Sequence, residues 1–166
     1  MNLVLIGMPG SGKSAVGGLL AAATGRRFLD SDALVEEKAG QSISAIFAAH
    51  GEACFRATET AAILEAAAAE RAVIATGGGA VLRAENMEAL QKTGVIFFLD
   101  RPVEALLTLP QGDRPLLAGD ANRIYQLYTN RISLYRKYGQ YCIKNPKSPE
   151  AAAEEILQII GREGIL

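Results

Sequence analysis

The chain has 166 residues, of which 49% are hydrophobic and 21% charged, and its formal net charge is −1. This length suits one domain with a sizeable core, and the balanced charge gives no electrostatic basis for a nucleic-acid or membrane partner. Two cysteines, Cys54 and Cys142, share no metal-ligand spacing, and no apolar run approaches membrane-spanning length. We therefore expect a cytoplasmic protein that carries no signal peptide, because Met1 leads directly into a strand.

The first predicted element is an apolar strand at residues 3–6, and it leads into GMPGSGKS at residues 7–14. The spacing G-x-x-x-x-G-K-S is that of a phosphate-binding loop, whose successive N–H groups hold phosphate at the start of a helix. Lys13 is expected to reach the outer phosphates, and the hydroxyl of Ser14 is expected to bind Mg²⁺. An amphipathic helix that stops at Gly25 follows, so the context favours a nucleotide site over an ordinary strand–turn–helix.

The second strand covers residues 27–29 and ends at Asp30-Ser31-Asp32. In an extended segment, two residues that lie two apart point the same way, so both carboxylates are expected to face one site. One would lie near Mg²⁺ and the other near an acceptor hydroxyl, as phosphoryl transfer requires. The alternative is that one of them simply caps the next helix.

Helices are predicted next, to about Gly40, then from a Ser42 cap to about Gly51, and then over the alanine-rich residues 57–70. Arg56 and Glu59 lie one helical turn apart, so a surface ion pair is the default interpretation. The alternative is that Arg56 grips a carboxylate through two parallel hydrogen bonds.

The third strand, at residues 72–75, runs into Thr76 and then Gly77-Gly78-Gly79. Three glycines cost considerable chain entropy, so a close approach of a ligand to the backbone is favoured over a casual turn. After a further helix, the next strand covers residues 95–99.

The remaining elements are a loop at residues 110–115, a helix at about residues 121–137, a weak strand near residues 140–143 and a last helix opened by Ser148-Pro149. Arg114 in the loop is either a flexible residue without a function or a cation that closes over a transferring phosphoryl group. Arg131 and Arg136 on the late helix are expected by default to face solvent.

The alternation of strands and helices predicts a parallel sheet that helices cover on both faces. Ligands of such sheets collect beyond the carboxyl ends of the strands, where the loop, the aspartates and the triple glycine all fall. The sequence therefore predicts one site that holds a phosphoryl donor opposite a polar acceptor.

In order and spacing, the motifs GMPGSGKS, FLDSD, GEACFRATE, ATGGGAV, DRPLL and NRISLYRKY resemble those of the shikimate kinase family over nearly the whole chain. The resemblance implies an α/β fold in three layers: a five-stranded parallel sheet flanked by helices, as in nucleoside monophosphate kinases. It implies a single domain over residues 1–166, with a small helical substrate-binding region at about 32–60 and a lid at about 109–121. The implied reaction is ATP-dependent phosphorylation of the 3-hydroxyl of shikimate, a step of chorismate and aromatic amino acid biosynthesis.

The family's roles can be carried over position by position. Lys13, Asp32 and Arg114 would be catalytic. The ATP-binding residues would be Gly10, Ser11, Gly12, Lys13, Ser14, Arg114 and Lys147. The shikimate-binding residues would be Asp32, Arg56, Gly78, Gly79 and Arg131, with Glu59 bracing Arg56. One Mg²⁺ per subunit would be held by Ser14 and by Asp30, and a monomer is expected.

Two positions depart from the family pattern. Family members usually carry an arginine that packs on the adenine shortly before the lid, whereas this chain has no arginine in residues 106–110. The loop with Lys147 is only loosely matched.

Two alternatives remain at this point. One is another small-molecule P-loop kinase, acting on gluconate or a nucleotide. A nucleotide acceptor would need additional cations for its phosphate, and between Asp32 and Glu59 the sequence offers only Lys38 and Arg56. The other alternative is a nucleotide-binding module without phosphotransfer, which would not need the paired aspartates or the arginines.

Overall fold

The computed structural model describes residues 1–108, 121–144 and 146–165. Within these residues the strands are β1 (Asn2–Ile6), β2 (Arg27–Asp30), β3 (Ala72–Ala75), β4 (Gly94–Asp100) and β5 (Tyr141–Lys144). The helices are α1 (Lys13–Thr24), α2 (Ser31–Ala39), α3 (Ile43–Ala68), α4 (Ala84–Thr93), α5 (Val103–Leu107), α6 (Ala121–Tyr138) and α7 (Pro149–Glu163). A 3-10 turn at Ala80–Leu82 precedes α4.

The strands form one sheet in the order β2-β3-β1-β4-β5, and all neighbouring strands are parallel. The predicted five-stranded parallel sheet is therefore confirmed. Because all strands run in one direction, the segments that follow β1, β2, β3 and β4 emerge at the same edge. This edge brings the phosphate-binding loop, the Asp-Ser-Asp segment and the triple glycine together.

Alternate residues of the central strands pack on opposite faces of the sheet, as the period of two requires. Val4 and Ile6 of β1 belong to a buried cluster that includes residues of α3, α4 and α6. Leu3 and Leu5 belong to a second cluster with residues of α1 and α7. Helices thus cover both faces and complete the three layers that the resemblance implied.

A third, smaller cluster joins α2 to α3 through Val35, Ile46, Phe55 and Ala62. It is distinct from the two clusters on the sheet faces, although Leu34 packs against both it and the first of them, and it supports the part of α3 that carries Arg56. This separate core gives the helical region beside the sheet its own support.

Several predicted helix ends are confirmed. α1 stops at Gly25, which has a φ of 63°, and the Ser42 side chain accepts a hydrogen bond from the Ala45 amide at 3.1 Å. The predicted stop near Gly51 is also confirmed, because Gly51 has non-helical backbone angles (φ 80°, ψ 179°) and divides α3 into two helical segments that meet at a kink. Ser148 caps α7, whose first residue is Pro149, as predicted.

Among the described helices, none has both the length and the apolar character needed to cross a membrane.

Candidate active site

One cavity of about 710 Å³ opens at the carboxyl edge of the sheet. Its walls come from the loop after β1, the junction of β2 and α2, helix α3, the loop after β3, the residue after β4, and helix α6. Of the predicted site residues, it is lined by Gly10, Gly12, Lys13, Ser14, Asp30, Asp32, Arg56, Gly78, Gly79 and Arg131. The sheet thus brings together residues that are more than 120 positions apart.

The phosphate-binding loop wraps tightly between β1 and α1. Gly10 and Gly12 have φ values of 80° and 93°, in the left-handed region that side-chain-bearing residues rarely adopt. The Ser11 amide donates to the Met8 carbonyl at 3.1 Å, which closes the turn. The loop therefore has the backbone shape that the glycine spacing predicted.

Lys13 is the first residue of α1, and its side chain is only 7% exposed. Its Nζ donates to the carbonyls of Gly7 and Met8, each at 2.8 Å, and to Ser11 Oγ at 3.3 Å. The ammonium is thus held by the loop itself, at the boundary between the loop and the cavity.

Asp30 has two functions at the end of β2. Its Oδ1 accepts hydrogen bonds from the Asp32 amide at 2.9 Å and the Ala33 amide at 3.4 Å, so the predicted N-cap is Asp30. Its Oδ2 accepts from Ser14 Oγ at 2.5 Å. A carboxylate and a hydroxyl side by side form the type of oxygen pair that Mg²⁺ prefers, so these residues fit the metal.

Asp32 does not lie in an extended segment, as the sequence predicted, because β2 ends at Asp30 and Asp32 sits in the first turn of α2. It still lines the cavity. Burial raises the pKa of the Asp32 carboxyl to about 6, and the nearby Asp30 and Glu59 carboxylates add to the rise. Asp32 Oδ1 is buried and has no hydrogen-bond partner among the described residues.

Arg56 and Glu59 form a buried ion pair rather than the surface pair expected by default. Arg56 Nη1 lies 2.8 Å from Glu59 Oε1, and the side chains are 8% and 1% exposed. A second, more exposed carboxylate, Glu52, lies 3.4 Å from Arg56 Nη2. The default fails because α3 turns this face toward the cavity and the triple glycine.

The triple glycine is sterically required. A Cβ on Gly77 would lie 2.7 Å from Asp32 Oδ1 and 2.8 Å from Glu59 Oε2. A Cβ on Gly79 would overlap the guanidinium of Arg56. The bare backbone therefore lets the acidic and basic groups of α2 and α3 approach the loop after β3.

Arg131 is 3% exposed and lines the cavity, so the default expectation that it faces solvent is wrong. Arg136 on the same helix is exposed, as expected. The buried residues of α6 include Ile124, Arg131 and Tyr135, which share one face at spacings of seven and four residues. The buried stripe of an amphipathic helix thus carries Arg131 to the cavity.

A second cavity of about 60 Å³ adjoins the loop and shares Gly12 and Arg101 with the first. Lys147 lines this smaller cavity and not the large one, as does Ser11. Lys147 therefore lies beside the phosphate-binding loop, away from the buried arginines. Arg114 and nearly all of the predicted lid lie outside the described residues.

The sequence analysis missed Arg101, which follows β4 directly and donates from Nη1 to the Gly10 carbonyl at 3.5 Å. Its signal was available, because it is a cation just beyond the carboxyl end of a strand. It also missed Glu36, which lines the large cavity from α2. No local pattern distinguishes Glu36 from the other charged residues of that helix.

The family model that describes shikimate kinase matches residues 9–161 of the chain. A shikimate kinase of Symbiobacterium thermophilum is 53% identical over an alignment of 174 residues, gaps included, which covers 99% of this chain and all of the relative. The structure also resembles that of a shikimate kinase from Acinetobacter baumannii in complex with shikimate. That comparison has a TM-score of 0.94 and 38% identity, and it covers 98% of this chain and 93% of that one.

A gluconokinase from Sinorhizobium meliloti has a TM-score of 0.63 at 20% identity, with 97% of this chain and 91% of that chain covered. At that identity the likeness extends to the fold alone, so the gluconate alternative is not favoured. The full-length similarity to shikimate kinases distinguishes the shikimate kinase interpretation from the gluconate kinase alternative.

Proposed function

Because the chain belongs to the shikimate kinase family, we propose that its large cavity holds shikimate beside ATP for in-line transfer of the γ-phosphoryl group to the 3-hydroxyl. The chain is an enzyme, a phosphotransferase with an alcohol group as acceptor. One observation supports this use of the cavity above the others. Two buried arginines, the buried Glu59 carboxylate and the partly buried Asp32 carboxylate line a space that is bordered at its other side by the phosphate-binding loop.

The nucleotide side of the site consists of the loop and its neighbours. Amides of Gly10, Ser11 and Gly12 would bind phosphate oxygens, and Lys13 would stabilise the charge that develops on the transferred group. Lys147 would contact the nucleotide from the second cavity. Arg114 would meet the phosphates when the lid closes and excludes water.

Mg²⁺ would be held by Ser14 directly and supported by Asp30 through water. When bound, it would neutralise charge on the phosphates. Asp30 would keep its second oxygen on the α2 amides, so that its capping function fixes the orientation of the carboxylate.

The acceptor side consists of cations and bare backbone. The guanidinium groups of Arg56 and Arg131 would hold the carboxylate of shikimate, with Glu59 keeping Arg56 in place. The backbone at Gly78 and Gly79 would lie against the ring. Because shikimate is bound as an anion, its carboxylate would balance the positive charge of the arginines.

Asp32 would accept a hydrogen bond from the 3-hydroxyl and direct its oxygen at the phosphorus. Its unpaired, buried Oδ1 is available for this contact. A pKa raised to about 6 brings the carboxyl closer to the range in which a general base works at neutral pH.

The substrate-binding region is proposed to span about residues 32–60 and the lid about residues 109–121, within a single domain. The separate cluster that joins α2 and α3 supports the first of these boundaries, because it gives the region its own core.

The protein is also proposed to act in the cytoplasm as a monomer. Both cysteines are free thiols, as a reducing compartment favours. Exposed large hydrophobic residues of the described chain, such as Leu19, Leu64 and Tyr125, lie on different helices. Light scattering coupled to gel filtration tests the monomer.

The decisive assay is ADP release from MgATP with and without shikimate, alongside gluconate and the common nucleoside monophosphates. We expect strong stimulation by shikimate alone, and its loss in Lys13→Ala. Stimulation by another acceptor would overturn the shikimate assignment of Asp32, Arg56 and Arg131. If no acceptor stimulated release, only the nucleotide-binding module would remain.

A further inference from the structure

Tyr135 of α6 is fully buried and lies directly behind the acceptor side of the cavity. Its ring stacks on Phe98 of β4, with ring centroids 5.2 Å apart and planes 19° apart. Its hydroxyl donates to the Gly78 carbonyl at 2.6 Å, across 57 residues of chain. Tyr135 therefore connects α6 both with β4 and with the triple glycine.

Arg131 lies one helical turn before Tyr135 on the same buried face of α6, and its positive charge acts on the Tyr135 hydroxyl. A carbonyl can only accept, so the single hydroxyl proton is committed to Gly78. Burial raises the pKa of Tyr135 to about 12, so the hydroxyl stays protonated at neutral pH. Tyr135 thus links the helix that carries Arg131 to the Gly78 carbonyl.

Arg131 and Gly78 both line the cavity, whereas Tyr135 does not. Gly78 is also confined by the phosphate-binding loop, since a Cβ there would lie 2.6 Å from Pro9 Cδ. The Gly78 backbone is therefore held between Tyr135 and the phosphate-binding loop, and Tyr135 ties it to the helix that carries Arg131.

We propose that Tyr135 is a positioning residue that sets the spacing between the Arg131 guanidinium and the Gly78 backbone, and thereby the affinity for the shikimate carboxylate and ring. This inference rests on the proposed function. An ordinary core tyrosine would satisfy its hydroxyl on groups of the core. This one donates to the Gly78 carbonyl, which belongs to the acceptor side.

Tyr135→Phe isolates this role, because phenylalanine keeps the ring on Phe98 and removes only the hydroxyl. Without it, the Gly78 carbonyl loses a partner and α6 loses its tie to the triple glycine. We expect the shikimate KM to rise by roughly 5- to 30-fold. The ATP KM and the binding of a non-hydrolysable ATP analogue should change less than about twofold, since the hydrogen bond lies on the acceptor side.

Tyr138→Phe is the matched control, because Tyr138 is a buried tyrosine of the same helix and the same cluster. It should leave both KM values near those of the wild type. A double variant that combines Tyr135→Phe with Arg131→Lys adds a further test, because a tyrosine that served only in packing would not be coupled to Arg131. If Tyr135 acts through Arg131, the two changes should be clearly non-additive in shikimate affinity.

Three outcomes would overturn the proposal: an unchanged shikimate KM in Tyr135→Phe, equal increases in both KM values, or full additivity with Arg131→Lys. Failure of the proposed function would look different, because the wild type itself would then show no shikimate-stimulated ADP release. Calorimetric titration of shikimate into each variant separates affinity from turnover.

Discussion

Arg56 and Glu59 face each other at 2.8 Å on the wall of the cavity, one helical turn apart and almost without exposure to water. Glu59 Oε2 and Arg56 Nε have no hydrogen-bond partner in the part of the chain that the structure describes. Arg56 Nη2 also lies 3.4 Å from the more exposed Glu52 carboxylate, and the buried pair keeps further hydrogen-bonding capacity at the site.

Removal of Glu59 should leave the buried Arg56 with only the more exposed Glu52 carboxylate, 3.4 Å from Nη2, as a charge partner among the described residues. We expect Glu59→Ala to lower the free energy of unfolding by about 3–5 kcal/mol, as measured by urea denaturation. Glu65→Ala is the control on the same helix, because Glu65 pairs with Lys38 at the surface. That variant should cost no more than about 1 kcal/mol. Equal losses in the two variants would show that burial of the Arg56–Glu59 pair has no energetic consequence.

The two arginines of α6 provide a matched pair for shikimate binding. Arg131→Ala should raise the shikimate KM by roughly 30-fold or more, since it truncates a desolvated cation opposite an anion. Arg136→Ala removes the same group from an exposed position and should leave that KM nearly unchanged. Initial rates at saturating ATP measure both. Similar values for the two variants would remove Arg131 from the binding site.

Asp32→Asn should lower kcat by roughly 10²- to 10⁴-fold, because the amide cannot take the proton of the hydroxyl. The same change should stabilise the metal-free protein at neutral pH. The pKa of Asp32 is raised from 3.8 to about 6, so the folded state holds the proton more tightly than the unfolded chain. The resulting stability is fully present below about pH 4 and is lost as the pH rises through about 6.

Relative to Asp32→Asn, the wild type should therefore lose about 2 kcal/mol of unfolding free energy between pH 4.5 and pH 7.5. Urea titrations of both proteins in EDTA at pH 4.5 and 7.5 measure the difference. An equal difference at the two pH values would mean that the Asp32 carboxyl titrates normally.

Gly79→Ala should displace the Arg56 guanidinium, because the new methyl group occupies its position. The backbone of Gly79 (φ −91°) suits any residue, so the effect is steric rather than conformational. We expect a shikimate KM raised by at least roughly tenfold at an almost unchanged ATP KM. Gly161→Ala in α7 meets open space and should be neutral or stabilising by about 0.5–1 kcal/mol. Wild-type shikimate affinity in Gly79→Ala would contradict the packing described for Arg56.

Arg101→Ala should raise the ATP KM by roughly tenfold, through loss of a cation that borders both cavities next to the phosphate-binding loop. The shikimate KM should stay within about twofold of the wild type. Arg162→Ala, at the exposed end of α7, controls for loss of a positive charge. A selective rise in the shikimate KM would contradict the assignment of Arg101 to the nucleotide side of the site.

Local features were predicted well from the sequence. The backbone of the phosphate-binding loop depends on glycines at fixed spacing, and the caps at Gly25, Ser42 and Ser148 depend on the residue at the helix end itself. These structures are decided within a few residues of chain, so a sequence pattern is sufficient to predict them. Gly51 is a further example, because its non-helical backbone (φ 80°) interrupts α3 where the residue type favours a stop.

The sequence by itself thus determined the nucleotide loop, the parallel sheet and the motifs that collect at its edge. Only the tertiary structure decided which charges are buried. The spacing of Arg56 and Glu59 is the same as that of a surface ion pair, and the local sequence does not distinguish the buried Arg131 from the exposed Arg136. The environments of these residues differ because of helices and loops from distant parts of the chain. Burial depends on these long-range contacts, and the sheet order that creates them has no counterpart in local sequence.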